Sequence, residues 1–186
     1  LLNMGSSTET TNTVDGIPVE PDNGIGAGAQ PLDELLEPEG AVSYVNQTVI
    51  GQSVNGVDIV AHHFGNGSKE VLLVGGTHGS NAPNTSKLTN EFITYFTDNE
   101  SAVPADMRVT VIPTVNPDGL VLGGVTGRFN ANEVDLNRNF DCDWAPTSKW
   151  QDQDVSGGSA PFSEPEAQAV RDYVLGANVV GAIVWF

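Results

Sequence analysis

The sequence predicts an α/β fold: three layers, α/β/α, around a mixed, mostly parallel sheet, left incomplete at its C-terminal end. Three observations lead there. After Val71, apolar runs of strand length alternate with amphipathic stretches of helix length. Ahead of them, two strand-like runs are joined by an Asn-Gly pair. The chain of 186 residues, 39% hydrophobic, suits one domain or part of a larger one. Strands separated by helices give a mostly parallel sheet covered on both faces, and such folds carry their sites at the carboxyl ends of the strands.

Residues 1–40 differ from the rest. They hold eight acidic residues and no Lys or Arg, and little that could form a core. They read as an acidic, extended leader, the rival reading being an ordered strap across the surface. Residues 41–186 are the organised part. "NQTVIGQSV" and "VDIVAHHF" are strands turned by Asn55-Gly56, a pair that tolerates positive φ. With "VLLVGG" they make an expected three-strand meander. His62 and His63 are neighbours on a strand and face opposite sides, so they read as sheet-surface histidines. "TSKLTNEFITYFTDN" puts Leu88, Phe92, Tyr95 and Phe96 on one helical face. "MRVTVIPTVNPDG" is a strand that stops at a Pro-containing loop. Residues 119–162 read as mostly loop, and a long irregular stretch in a compact domain usually forms a working surface. "SEPEAQAVRDYVL" is a helix with Ser163 as cap, Glu166 completing a capping box, and Ala167, Val170 and Val174 as its apolar face. "NVVGAIVWF" is a final buried-type strand.

Charge narrows the function. Asp plus Glu is 24 against 7 Lys plus Arg, a net charge of -17. Such a chain repels nucleic acid and anionic membranes, and no apolar run reaches membrane-span length. A single cysteine, Cys142, excludes an internal disulfide or an all-cysteine metal site. No Gly-rich loop stands in the context that nucleotide binding requires. Glycosylation-type triplets at Asn46, Asn66 and Asn84 are of a kind that arises easily by chance in an Asn- and Thr-rich chain.

Two stretches could carry chemistry. In "GGTHGSNAPN", His78 sits at the mouth of a strand; it could be a metal ligand, a general base or a polar cap, and Asn81 is a neutral oxygen donor beside it. In "GRFNANEVDLNRNFDCDW", Arg128 and Arg138 are two of only seven basic residues. An arginine fork matches a carboxylate bidentately, and Asn137 can add an amide donor. The competing reading pairs Arg138 internally with Asp135 or Asp141.

"LLVGGTHG", "VIPTVNPDGL", "TGRFNANEVDLNRNF" and "APFSEPEAQAVRDYV", in that order, resemble landmarks of the zinc metallocarboxypeptidases, the carboxypeptidase A family. The resemblance runs from about Val49 to Phe186. It implies His78 as a zinc ligand and Arg128 as the group holding the developing oxyanion. It implies Asn137 and Arg138 as the grip on a peptide's free C-terminal carboxylate, and Asp135 as a support behind them. Asn116 to Gly119 match a structural loop. The partner implied is a peptide with a free C-terminus, and the location extracellular, periplasmic or cell-surface.

Departures accompany it. Where the family has an acidic zinc ligand, this chain has Asn81 and Ala82, and its third ligand and catalytic glutamate would lie beyond Phe186. Zinc in the isolated chain is therefore expected to bind weakly or not at all. Two readings follow: a carboxypeptidase with part of its active site outside this chain, possibly disulfide-linked through Cys142, or an inactive relative kept as a binding or structural module.

Overall fold

The computed structural model describes residues 46–186 and, before them, two short paired strands, Thr13–Val14 and Ile17–Pro18. The rest of the leader expected over residues 1–40 lies outside the described residues. Five strands build the main sheet: β1 (Gln47–Gln52), β2 (Asp58–Phe64), β3 (Lys69–Val74), β4 (Met107–Ile112) and β7 (Val179–Val184). Their spatial order is β1-β2-β4-β3-β7. Among the described residues three α-helical elements accompany them: α1 (Pro83–Asp98), the single turn α2 (Pro117–Leu120) and α3 (Pro165–Gly176). β5 (Thr147–Trp150) and β6 (Gln153–Ser156) form a separate two-stranded ribbon.

The hairpin is as the Asn-Gly turn predicts, with β1 antiparallel to β2. The three-strand meander is not. β2 pairs with β4, antiparallel, and β3 lies beyond, parallel to both β4 and β7. The reason lies in β3 itself. Leu72, Leu73 and Val74 are all buried, so both faces of this strand need cover. A central place between two parallel strands provides it, and α1 carries the chain across to β4.

Each sheet face has its own core. Ile59, Leu72, Val74 and Ile112 pack with Leu136 and Ala169 on the α3 side. Leu73, Val111 and Ile93 pack with Phe64, Phe92, Phe96 and Trp185 on the α1 side. Each large side chain so buried contributes about 1.5–3 kcal/mol. α3 rides close to β1 because position 51 is glycine: a Cβ there would lie 2.5 Å from that of Ala169.

Both helical faces are shifted from the expected ones. On α1 the deepest residues are Thr85, Ser86, Thr89 and Ile93, while Tyr95 is 52% exposed. The buried Thr89 hydroxyl is satisfied locally, its one proton having the carbonyls of Thr85, Ser86 and Pro113 within reach. On α3, Val174 is 37% exposed. Glu164, not Ser163, stands at the cap, with no side-chain capping bond. Glu166 turns inward instead of back to the cap, and accepts from Val54 N and Asn130 Nδ2.

Candidate carboxylate-recognition site

Loops after β3 and β4 meet at the carboxyl edge of the sheet. Val115 N and Asn116 N donate to the carbonyls of Gly75 and Gly76, which stitches the two together. Gly76 has φ 66°, and a Cβ there would lie 2.7 Å from Thr114 Cα, so this crossing requires glycine. His78 follows, 3% exposed, at the start of the tight turn Gly79–Asn81. Its Nδ1 is buried without a hydrogen-bond partner and lies 3.8 Å from Asp135 Oδ1. Burial, then the positive charge of Arg128, hold the imidazole below the usual histidine range, against the opposing pull of Asp135.

Asp135 is fully buried and fully engaged. Its Oδ2 accepts from Arg128 Nε at 3.0 Å, with Arg128 Nη2 at 2.9 Å, and its Oδ1 accepts from Asn137 N at 3.1 Å. The Arg128 guanidinium lies over the Trp150 ring, 4.4 Å from its centroid. The support expected of Asp135 therefore goes first to Arg128.

Arg138 has no acidic partner among the described residues. The internal pairing with Asp135 or Asp141 is absent. Its Nε donates to Ser148 Oγ at 3.1 Å and its Nη2 to the Lys149 carbonyl at 3.2 Å. Both acceptors are neutral, so its charge is not cancelled. Asn137 and Arg138 line one cavity of about 400 Å³ with Thr77, Phe140, Trp144 and Phe186. Cys142, exposed and unpaired, is on the same wall.

Behind the site lie Asn130, Asn139 and Glu164, which no sequence motif singled out, together with Glu166, expected in a capping box. Asn139, fully buried, donates to the carbonyls of Gly157 and Ala160 and accepts from Glu164 N. Asn130 Oδ1 accepts from the backbone of Asn132 and Val134, while its Nδ2 donates to Glu164 and Glu166. Burial pushes the Glu166 carboxyl above the ordinary glutamate range. The dense asparagines of "NANEVDLNRN" were the available signal: such amides can satisfy a loop that has no regular ladder. The expected structural loop Asn116 to Gly119 is the buried turn α2, capped by Asn116 Oδ1 accepting from Gly119 N.

A family model described as zinc carboxypeptidase matches residues 40–185. The chain belongs to the zinc carboxypeptidase family. Murein peptide amidase A of Escherichia coli (strain K12) is 32% identical over 131 residues, covering 64% of this chain and 50% of that protein. Carboxypeptidase D of Anas platyrhynchos is 31% identical over 133 residues, covering 62% of this chain and 9% of that protein. Among solved structures, bovine thrombin-activatable fibrinolysis inhibitor superposes with TM-score 0.63 at 21% identity, covering 76% of this chain and 53% of that one. Carboxypeptidase A from Helicoverpa armigera gives TM-score 0.60 at 25% identity, covering 75% and 40%. The chain spans half or less of the length of these curated relatives.

Zinc is the metal this zinc carboxypeptidase chain's family implies, and the described residues do not by themselves fit it. His78 offers one buried nitrogen without a partner. Asn81 is a neutral amide one turn on, and the nearest carboxylate, Asp135, is held by Arg128. No three His, Cys, Asp or Glu side chains converge among the described residues, whereas a catalytic zinc takes three protein ligands.

Proposed function

We propose that this chain recognises the free C-terminal carboxylate of a peptide, as part of a zinc-dependent metallocarboxypeptidase whose remaining active-site residues lie outside it. The observation that carries the reading is the Arg138 guanidinium, held by neutral oxygens at the wall of a cavity of about 400 Å³. In a protein of net charge -17, a cation without an acidic partner is a local attractor for an anion. A carboxylate matches its fork, and Asn137 adds an amide. The bound end of the peptide then fixes which bond is presented to the rest of the site. Arg128, pinned under Trp150 and against Asp135, is the group proposed to meet charge developing on the scissile carbonyl oxygen. His78 is the metal ligand proposed for the complete site. The location proposed is outside the cytoplasm.

A second reading is favoured by Asn81. A neutral amide attracts zinc far less than a carboxylate, so the chain would bind peptide ends without cutting them. Incubating the complete protein that contains this chain with a peptide bearing a free C-terminus, with and without zinc, separates the two by mass spectrometry. Zinc-dependent loss of single C-terminal residues supports the peptidase. Binding without loss supports the inactive relative, and neither binding nor loss overturns both.

A further inference from the structure

A second polar region lies on the α3 face of the sheet, at the end away from His78. A row of polar side chains there crosses four strands: Thr48 on β1, His63 on β2, Thr110 and Arg108 on β4, and Glu70 on β3. The register places His63 beside Thr110 and Glu70 beside Arg108. Tyr173 of α3 closes over them. Its hydroxyl donates to Glu70 Oε1 and lies 3.2 Å from Thr110 Oγ1, and its ring stacks on His63. His63 in turn bridges Thr110 and Thr48 at 3.0 and 3.1 Å. Burial, then the bond to Glu70, push the Tyr173 hydroxyl up to about 12, so it stays a donor.

Two charged groups of this row are incompletely used. Arg108 Nε is buried with no acceptor. Arg108 Nη1 stands 3.9 Å from Glu70 Oε2, too far for a direct hydrogen bond. Beside them runs a groove of about 550 Å³, lined also by Tyr173, Asp172, Gly176 and Asn178. An unmatched buried donor is costly, more so on a charged group, so the row is incomplete without an acceptor. A carboxylate fits the guanidinium fork. A simple anion would also meet Glu70, Asp172 and the carbonyl end of α3 at Gly176, all of which repel it. A molecule carrying a carboxylate and an ammonium a few ångströms apart satisfies both signs at once.

We propose that this groove binds a free α-amino acid, its carboxylate on Arg108 and its ammonium toward Glu70 Oε2 and Asp172. The site is separate from the cavity at Arg138 and does not depend on the function assigned there.

Calorimetric titration of the full chain at neutral pH tests it, with glycine, acetate and methylammonium as probes. In Arg138→Ala, which removes the carboxylate grip proposed for the other cavity, glycine should saturate one site, at least about tenfold more tightly than either single-group probe. Adding Arg108→Gln to that chain should weaken glycine at least about tenfold, with folding of each checked by circular dichroism. Should Arg108→Gln fail to fold, the three probes on the Arg138→Ala chain decide alone. Glycine binding no tighter than acetate, absence of saturation, or loss of binding in Arg138→Ala would each overturn the proposal. Absence of saturation would mean that water alone fills the gap between Arg108 and Glu70.

Discussion

Arg128 and Arg138 lie on one run of chain and meet opposite surroundings. Arg128 is 5% exposed, twice bonded to Asp135 and roofed by Trp150. Arg138 is half-buried, held only by a hydroxyl and a carbonyl, and faces a cavity. The same side chain is thus a paired, fixed cation in one place and an uncompensated charge a few residues on. A buried charge with its counter-charge in place is held in a set position. One positioned by neutral groups is free to take an anion as its main partner.

That contrast breaks most visibly at Asp135. Asp135→Ala leaves the Arg128 guanidinium buried without its partner and should destabilise the fold by about 3–5 kcal/mol in urea unfolding. Replacing both members by apolar residues should recover much of that loss. Arg138→Ala removes only bonds to neutral groups and should cost about 1 kcal/mol. Equal losses for Asp135→Ala and Arg138→Ala would erase the distinction.

Acid sharpens it from another side. His62 is held neutral down to about 4, by burial first and then by the neighbouring His63. Its ordinary value is 6.5, so its contribution is fully present above that and is lost as pH falls from 6.5 toward 4. Glu166 has the opposite sign: its raised value means stability fully present below the ordinary glutamate value and lost as pH rises from there through the raised one. Unfolding followed between pH 4 and 7 should show the His62 slope, and His62→Leu should flatten it while Arg138→Ala leaves it unchanged.

The smallest effect is expected at Cys142. It is exposed, so alkylation of the native chain should go to completion and change stability by no more than about 0.5 kcal/mol. Resistance to alkylation before reduction would instead support the expected disulfide to a partner.

Local patterns carried most of the fold. The Asn-Gly turn, the apolar runs and the helical periods placed the strands and the helices α1 and α3 close to where they stand. Strand order was not legible, because β3 and "VDIVAHHF" read alike whether adjacent or separated by β4. The ribbon β5–β6 was missed because "TSKW" and "QDVS" are short and mostly polar, with only Trp150 and Val155 as apolar residues. The capping box failed because Glu166 is needed below, under Val54 and Asn130. At the site, the types Arg, Asn and His in order were readable, and Asn137 and Arg138 do share a wall. Which arginine Asp135 would hold was not readable: Asp135 is nearer in sequence to Arg138 and in space to Arg128. That choice depends on the fold of residues 128–138 around the buried Asn130 and Asn139, which no local pattern encodes.

The division of labour between the two arginines comes down to peptide binding. The measurement is the affinity of one short peptide, as free acid and as C-terminal amide, for the full chain and for Arg138→Ala. The unaltered chain should prefer the acid, and Arg138→Ala should lose that preference, by about 2–5 kcal/mol, while staying folded. Equal binding of acid and amide by the unaltered chain, or a preference that survives in Arg138→Ala, would contradict it.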